Sequence, residues 1–123
     1  MDQKFLEVMK HEGPATIIAL NAQPAGIVNT WMSYITIDQE DNQLYLPAAG
    51  MHSIEADFAE DNHVVITVGS KEVEGTAGPG AGFYIYGTGK FHAEGKYYDQ
   101  LKAKFPWLRK ILEVKIDRIE QKI

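Results

Sequence analysis

The chain of 123 residues contains no cysteine. Disulfides, thiolate zinc sites, iron–sulfur clusters and a cysteine nucleophile are therefore excluded, and a reducing cytoplasm is the expected compartment. No apolar run approaches the roughly 18 residues of a membrane span. The opening Met1-Asp2-Gln3-Lys4-Phe5 does not read as an export signal, so neither a span nor secretion is expected. Basic side chains are scarce over residues 1–89, where Lys4, Lys10 and Lys71 face 12 acids. Residues 90–123 reverse this, with nine basic side chains against five acids. The total is −5, and so acidic a body argues against a general nucleic-acid binder, whose affinity comes from neutralising phosphates. The basic C-terminal part suits a small anion, a partner's acidic surface, or simply solvent.

Several familiar motifs are also missing. There is no Gly-x-x-x-x-Gly-Lys-Ser/Thr phosphate loop and no Gly-x-Ser-x-Gly elbow. The glycines at 78, 80 and 82 lack dinucleotide-fingerprint spacing and lead into a strand rather than a helix. His11, His52, His63 and His92 are scattered without ligand spacing, so no metal site is read. No residue has the pattern of an indispensable acid or base, and no catalytic residue is assigned.

What remains is a soluble domain of ordinary composition, 45% hydrophobic and 24% charged. It reads as a single domain over residues 1–123, without repeats or linkers. Asp2 to Glu12 has helical spacing and stops at Gly13-Pro14. Strands are expected over 15–20, Ile27 to Ile37, Leu44 to Ala48, His63 to Val68, Phe83 towards His92, and 112–117, the last by strict alternation. Short helices fit Ser53 to Asp61 and Tyr97 to Phe105, while Gly75 to Gly82 reads as a loose glycine-rich stretch. About six strands with short turns and three minor helices predict a mainly β chain, a small barrel with helical caps.

Two segments carry candidate chemistry. In Val28-Asn29-Thr30-Trp31-Met32-Ser33-Tyr34, Asn29 and Trp31 share one strand face and Thr30 takes the other. Amide, hydroxyl and indole groups on an expected core strand need partners, which a flat heteroaromatic ligand would supply; a solvated strand face is the alternative. In Leu46-Pro47-Ala48-Ala49-Gly50-Met51-His52-Ser53-Ile54-Glu55, a strand ends in small residues and a helix begins. Backbone N–H groups and the Ser53 hydroxyl there suit an anion, unless Ser53, or His52 with Glu55, merely caps the helix. Together the two segments suit a phosphorylated planar cofactor.

Asn29-Thr30-Trp31 with Ser33-Tyr34, Gly50-Met51-His52 with Glu55-Ala56, Gly69-Ser70, and Gly78-Pro79-Gly80 with Gly82-Phe83 follow one another at nearly constant family spacing. The chain thereby resembles, over nearly its whole length, the small FMN-binding proteins of sulfate-reducing bacteria. These are split-barrel flavin proteins related to pyridoxamine phosphate oxidase. The resemblance implies a split β-barrel, a homodimer, and one non-covalent FMN per subunit near the dimer interface. It further implies that Asn29, Thr30 and Trp31 line the ring, that Ala49 and Gly50 pass close to it, and that Met51, His52, Ser53 and Ile54 complete the turn. The family holds the phosphate with a Lys-Thr pair where this chain has Ser53-Ile54; Ser53 can still donate a hydrogen bond, but the site is about ten- to hundredfold weaker unless another cation compensates, for which Lys71 and the lysines of the basic C-terminal part are candidates. Trp107 and Ile123 fall where the family brings contacts over the flavin, partly from the partner chain. The implied activity is electron transfer through the flavin, with a small redox protein or electron donor as further partner. The alternative is a flavin-dependent reductase or oxidase acting on a small substrate. A haem-binding or purely structural barrel is a third option, to which only His52 and His92 lend anything.

Overall fold

The computed structural model describes residues Met1–Ile123. The chain runs α1 (Gln3–Val8), β1 (Pro14–Ala19), β2 (Gly26–Trp31), a 3-10 turn (Met32–Tyr34), β3 (Thr36–Asp38), β4 (Gln43–Ala48), α2 (His52–Phe58), β5 (His63–Glu74), β6 (Pro79–His92), α3 (Lys96–Lys104) and β7 (Lys110–Gln121). The seven strands form one sheet in the order β2-β1-β5-β6-β7-β4-β3, with every neighbouring pair antiparallel. No helix is long and apolar enough to cross a membrane.

A short connection makes this sheet curl. Laid flat, seven strands would hold their two edges about 29 Å apart. The edge strands β2 and β3 are separated in sequence by residues 32–35 alone, and the peptide steps from Trp31 to Thr36 reach at most about 19 Å. The sheet therefore bends into a barrel left open along one seam, which the 3-10 turn crosses. The expected strand over Ile27–Ile37 is corrected accordingly: it is two strands on opposite edges. Two bonds fix the break. The Met32 amide donates to the Gly13 carbonyl at 2.8 Å, and the Ser33 amide to Glu12 Oε1 at 3.1 Å. Met32 itself is only 1% exposed, so the turn is anchored in the core.

The split β-barrel with short helices is the observed fold, with seven strands in place of about six. β5 runs on through Gly69-Ser70 to Glu74, and β6 begins at Pro79. Of the stretch expected to be loose, Gly75 to Gly78 form the tip and Pro79 to Gly82 are strand. Its tip closes with Gly75 N–H donating to the Gly78 carbonyl at 2.7 Å. A Cβ at Gly75 would meet the Gly80 carbonyl oxygen at 1.9 Å, so only glycine permits this closure.

Alternation places one face of each strand inside the barrel. Ala15, Ile17 and Ala19 of β1 and Leu112, Val114 and Ile116 of β7 are all buried. All of these but Ala19 join Phe5 and Val8 of α1, Ile54 of α2, and Phe83 and Ile85 of β6 in a core of 20 buried residues. A second cluster (Tyr45, Leu101, Phe105, Leu108 and Ile111) lies under α3 on the outer face.

Tyr45 carries a pH signature in that second cluster. Its ring stacks on Tyr97 with centroids 3.8 Å apart, and its hydroxyl donates to Gln43 Oε1 and, at 3.4 Å, to Glu113 Oε1. Burial, followed by the Glu113 charge, pushes the phenol from 10.0 up to about 12. A folded-state value above the unfolded one stabilises the fold below pH 10.0, and that contribution is lost as pH rises towards about 12. The wild type is accordingly expected to lose more stability across this window than Tyr45→Phe, as read by urea unfolding at stepped pH. Equal losses would contradict the linkage.

Candidate functional site

β2 pairs only with β1, so its other edge presents unpaired backbone N–H and C=O groups to the seam. Along that edge Asn29 and Trp31 are exposed and Val28 and Thr30 half-buried, which agrees with the expected alternation. Asn29 is held by its cross-strand partner: Thr16 Oγ1 donates to Asn29 Oδ1 at 2.6 Å. With its oxygen occupied, the amide keeps its NH2 donors free for the seam. Trp31 ends the strand just before the anchored turn. Glu12 secures that turn, accepting from the Gly13 and Ser33 amides and from the Ser33 hydroxyl. These three hydrogen bonds hold the Glu12 carboxyl below its usual value.

Across the seam, β4 ends at Ala48 and the chain turns through Ala49-Gly50-Met51 into α2. Between this turn and β2 lies a slot of about 300 Å³, lined by Val28, Asn29, Thr30, Trp31, Tyr34, Pro47, Ala49, Gly50, Met51 and Trp107. Two of its aromatic side chains, Tyr34 and Trp107, are in contact. Trp107 packs on Tyr34 with centroids 5.7 Å apart and on Phe105 at 5.6 Å. Trp31 and Trp107 are each 48% exposed, an unusual state for indoles unless something covers them. A Cβ built on Gly50 would meet no atom of the chain within 4 Å, so the turn's backbone faces open space.

Beside the slot lies a second pocket, of about 110 Å³, walled by Ala48, Ala49, Met51, His52, Glu55, Arg109 and Lys110. It shares Ala49 and Met51 with the slot. Long-range pairing builds it, since β4 and β7 place Ala48 opposite Lys110, and the Arg109 amide donates to the Ala48 carbonyl at 2.9 Å. Lys110 Nζ lies 2.9 Å from Glu55 Oε1, and His52 Nδ1 3.6 Å from Glu55 Oε2. The composite site offers an open slot that mixes aromatic and apolar side chains with a few donors, and a cationic recess next to it.

Of the residues named from sequence, Asn29, Thr30, Trp31, Ala49, Gly50, Met51 and Trp107 meet in the slot, and His52 in the adjoining pocket. Ser53 is exposed and lines neither. Nor does it cap its helix, for Met51 is the N-cap and has no side-chain cap bond. Ile54 is fully buried in the core. Lys71 is exposed on β5, and Ile123 is tied to Gly82, its carbonyl accepting that amide at 3.2 Å; both lie outside the two pockets. Sequence reasoning did not single out Val28, Pro47, Arg109 or the clamp Glu12, and it included Lys110 only among the lysines of the basic C-terminal part. The sequence signal for the two cations was their position immediately after Trp107-Leu108.

One sequence comparison decides the family. Over 117 residues the chain is 38% identical to the FMN-binding protein of Nitratidesulfovibrio vulgaris (strain DSM 19637 / Miyazaki F), covering 95% of this chain and 94% of that protein. The chain belongs to the FMN-binding protein family. No family model matches this member. Among solved structures, HupZ of Group A Streptococcus superposes with a TM-score of 0.78 at 13% identity, covering 98% of this chain and 93% of that one. A candidate pyridoxamine 5'-phosphate oxidase from Lactobacillus delbrueckii gives a TM-score of 0.68 at 8% identity, covering 98% and 93%. At those identities the likeness concerns the fold, and it places this member of the FMN-binding protein family among the split barrels.

Proposed function

We propose that the chain binds FMN non-covalently at the seam and serves as a one-domain electron carrier in the cytoplasm. The observation that carries this reading is the shared wall between slot and cationic pocket, which matches a planar ring joined to a phosphate. Had a side chain stood at position 50, or had the recess been lined by acids alone, ring or phosphate would lack a place. Bound FMN supplies one- and two-electron redox chemistry.

The chain's own residues bind and orient. Trp31, Tyr34 and Trp107 offer aromatic surface to the ring and limit water at it, while Asn29, Thr30 and the open edge of β2 offer donors and acceptors. Hydrogen bonds that differ between oxidised and reduced rings are the means by which these groups would set the potential. Tyr34 is the one ionisable side chain in the slot wall, a lining better suited to moving electrons than to abstracting a substrate proton.

We further propose that two copies pair over this seam. Ile27, on the same face of β2 as Trp31, is 58% exposed, and Trp31 and Trp107 are half exposed beside it. Elsewhere on the surface, Tyr97 and Tyr98 pack on the second cluster, Phe91 on the main core, and Tyr84 beside Tyr86 and Lys122. Tyr86 is covered by Arg118, 3.8 Å from its ring centroid. Dimerisation therefore rests on the seam itself, where Lys71 or Ile123 would reach a flavin only from the partner subunit.

Freshly purified protein is expected to be yellow, with a protein-perturbed flavin absorption spectrum, and to elute as a dimer by light scattering. Steady oxidation of nicotinamide cofactors would favour a reductase over a carrier. A colourless protein that takes up no added FMN would refute the reading.

A further inference from the structure

Resting on the FMN reading, we infer that Arg109 and Lys110 form the phosphate seat of this chain and take the place of the lysine that the family pattern puts at position 53. The family's charge is absent there. Ser53 lines neither pocket, and Ile54 is fully buried, so neither brings a cation to the turn. Two cations approach at the start of β7 instead. Pairing of Ala48 with Lys110, together with the bond from the Arg109 amide to the Ala48 carbonyl, pins both residues against the turn that also walls the slot.

The charges fit a phosphate. Arg109 and Lys110 face one carboxylate, Glu55, in a pocket of about 110 Å³, room for a compact anion or a few waters. The Arg109 side chain makes no hydrogen bond or ion pair within the chain, which leaves its five-donor fork available. Lys110 spends one of its three donors on Glu55 at 2.9 Å. Glu55 thus has two effects. It positions the ammonium, and it would repel the phosphate if that ammonium were removed.

The test is titration of flavin-free protein with FMN and with riboflavin, which has the same ring and no phosphate, followed by quenching of flavin fluorescence. Wild type is expected to prefer FMN. Arg109→Ala and Lys110→Ala should each weaken FMN binding about tenfold and leave riboflavin unchanged, a loss in keeping with one charge-assisted hydrogen bond. Lys110→Arg should keep most of the preference. Removing Glu55 as well, in Glu55→Gln/Lys110→Ala, should recover part of the loss by abolishing the repulsion, and a purely structural role for the pair predicts no such recovery. An unchanged preference for FMN in both alanine variants would overturn the seat while leaving FMN binding intact. Failure of wild type to bind either flavin would overturn the FMN reading, and this inference with it.

Discussion

Trp31→Ala/Trp107→Ala is expected to weaken FMN binding about a hundredfold while leaving the barrel folded. Each indole is 48% exposed and offers a face to the slot. Stacking of an aromatic side chain on a heteroaromatic ring contributes about 1–3 kcal/mol. Losing two such contacts therefore corresponds to about 3 kcal/mol or somewhat more, a hundredfold in Kd. The fold should tolerate the change because neither indole belongs to the core clusters. Trp107 does lean on Tyr34 and Phe105, so a modest loss of stability will accompany its removal, whereas Trp31→Ala alone should cost little. Parallel FMN titration and thermal unfolding of the flavin-free variants separate the two effects. Unaltered affinity would mean that the ring does not lie between these indoles.

Phe83→Ala should do the reverse. Phe83 is 1% exposed in the centre of β6, opposite Val68 of β5, and its ring meets Phe5 of α1 edge-on at 5.7 Å. Large-to-small replacement of a buried phenylalanine costs about 3–5 kcal/mol, because the cavity closes only in part. Against the 5–15 kcal/mol that typically holds a domain together, this is a severe loss, on the order of 10–20 °C in Tm. Phe83 lines neither pocket, so the folded fraction should still bind FMN with nearly normal affinity. A thermal midpoint within a few degrees of wild type would contradict this account of the core.

Much of the fold was legible locally. Alternation at Leu112, Val114 and Ile116 marked β7, and Ile54 and Phe58 marked the inner face of α2, whereas α1 ends at Val8, short of the Gly13-Pro14 stop, and Pro14 opens β1. Most of the slot was legible too, because all of its members but Trp107 sit in two short segments whose side chains look wrong for an ordinary core strand. The break at Met32 was not. Trp31 to Ile37 is as apolar and aromatic as one strand, and what divides it is Glu12 and Gly13, about twenty residues earlier in the chain. Arg109 was hidden, and Lys110 was not set apart from the other lysines of the basic part, for a similar reason. A basic stretch says nothing of its neighbours until β4 pairs with β7 across more than sixty residues. Local patterns reveal periodicity, whereas a site assembled by strand register becomes visible only in the folded sheet.

The most direct test of the central claim is the stoichiometry of FMN uptake by flavin-stripped protein, read from the quenching of flavin fluorescence as FMN is added. The account predicts saturation at one FMN per chain, abolished together with tight binding in Trp31→Ala/Trp107→Ala. Linear, unsaturable fluorescence in wild type, or saturation that the double substitution leaves untouched, would contradict it.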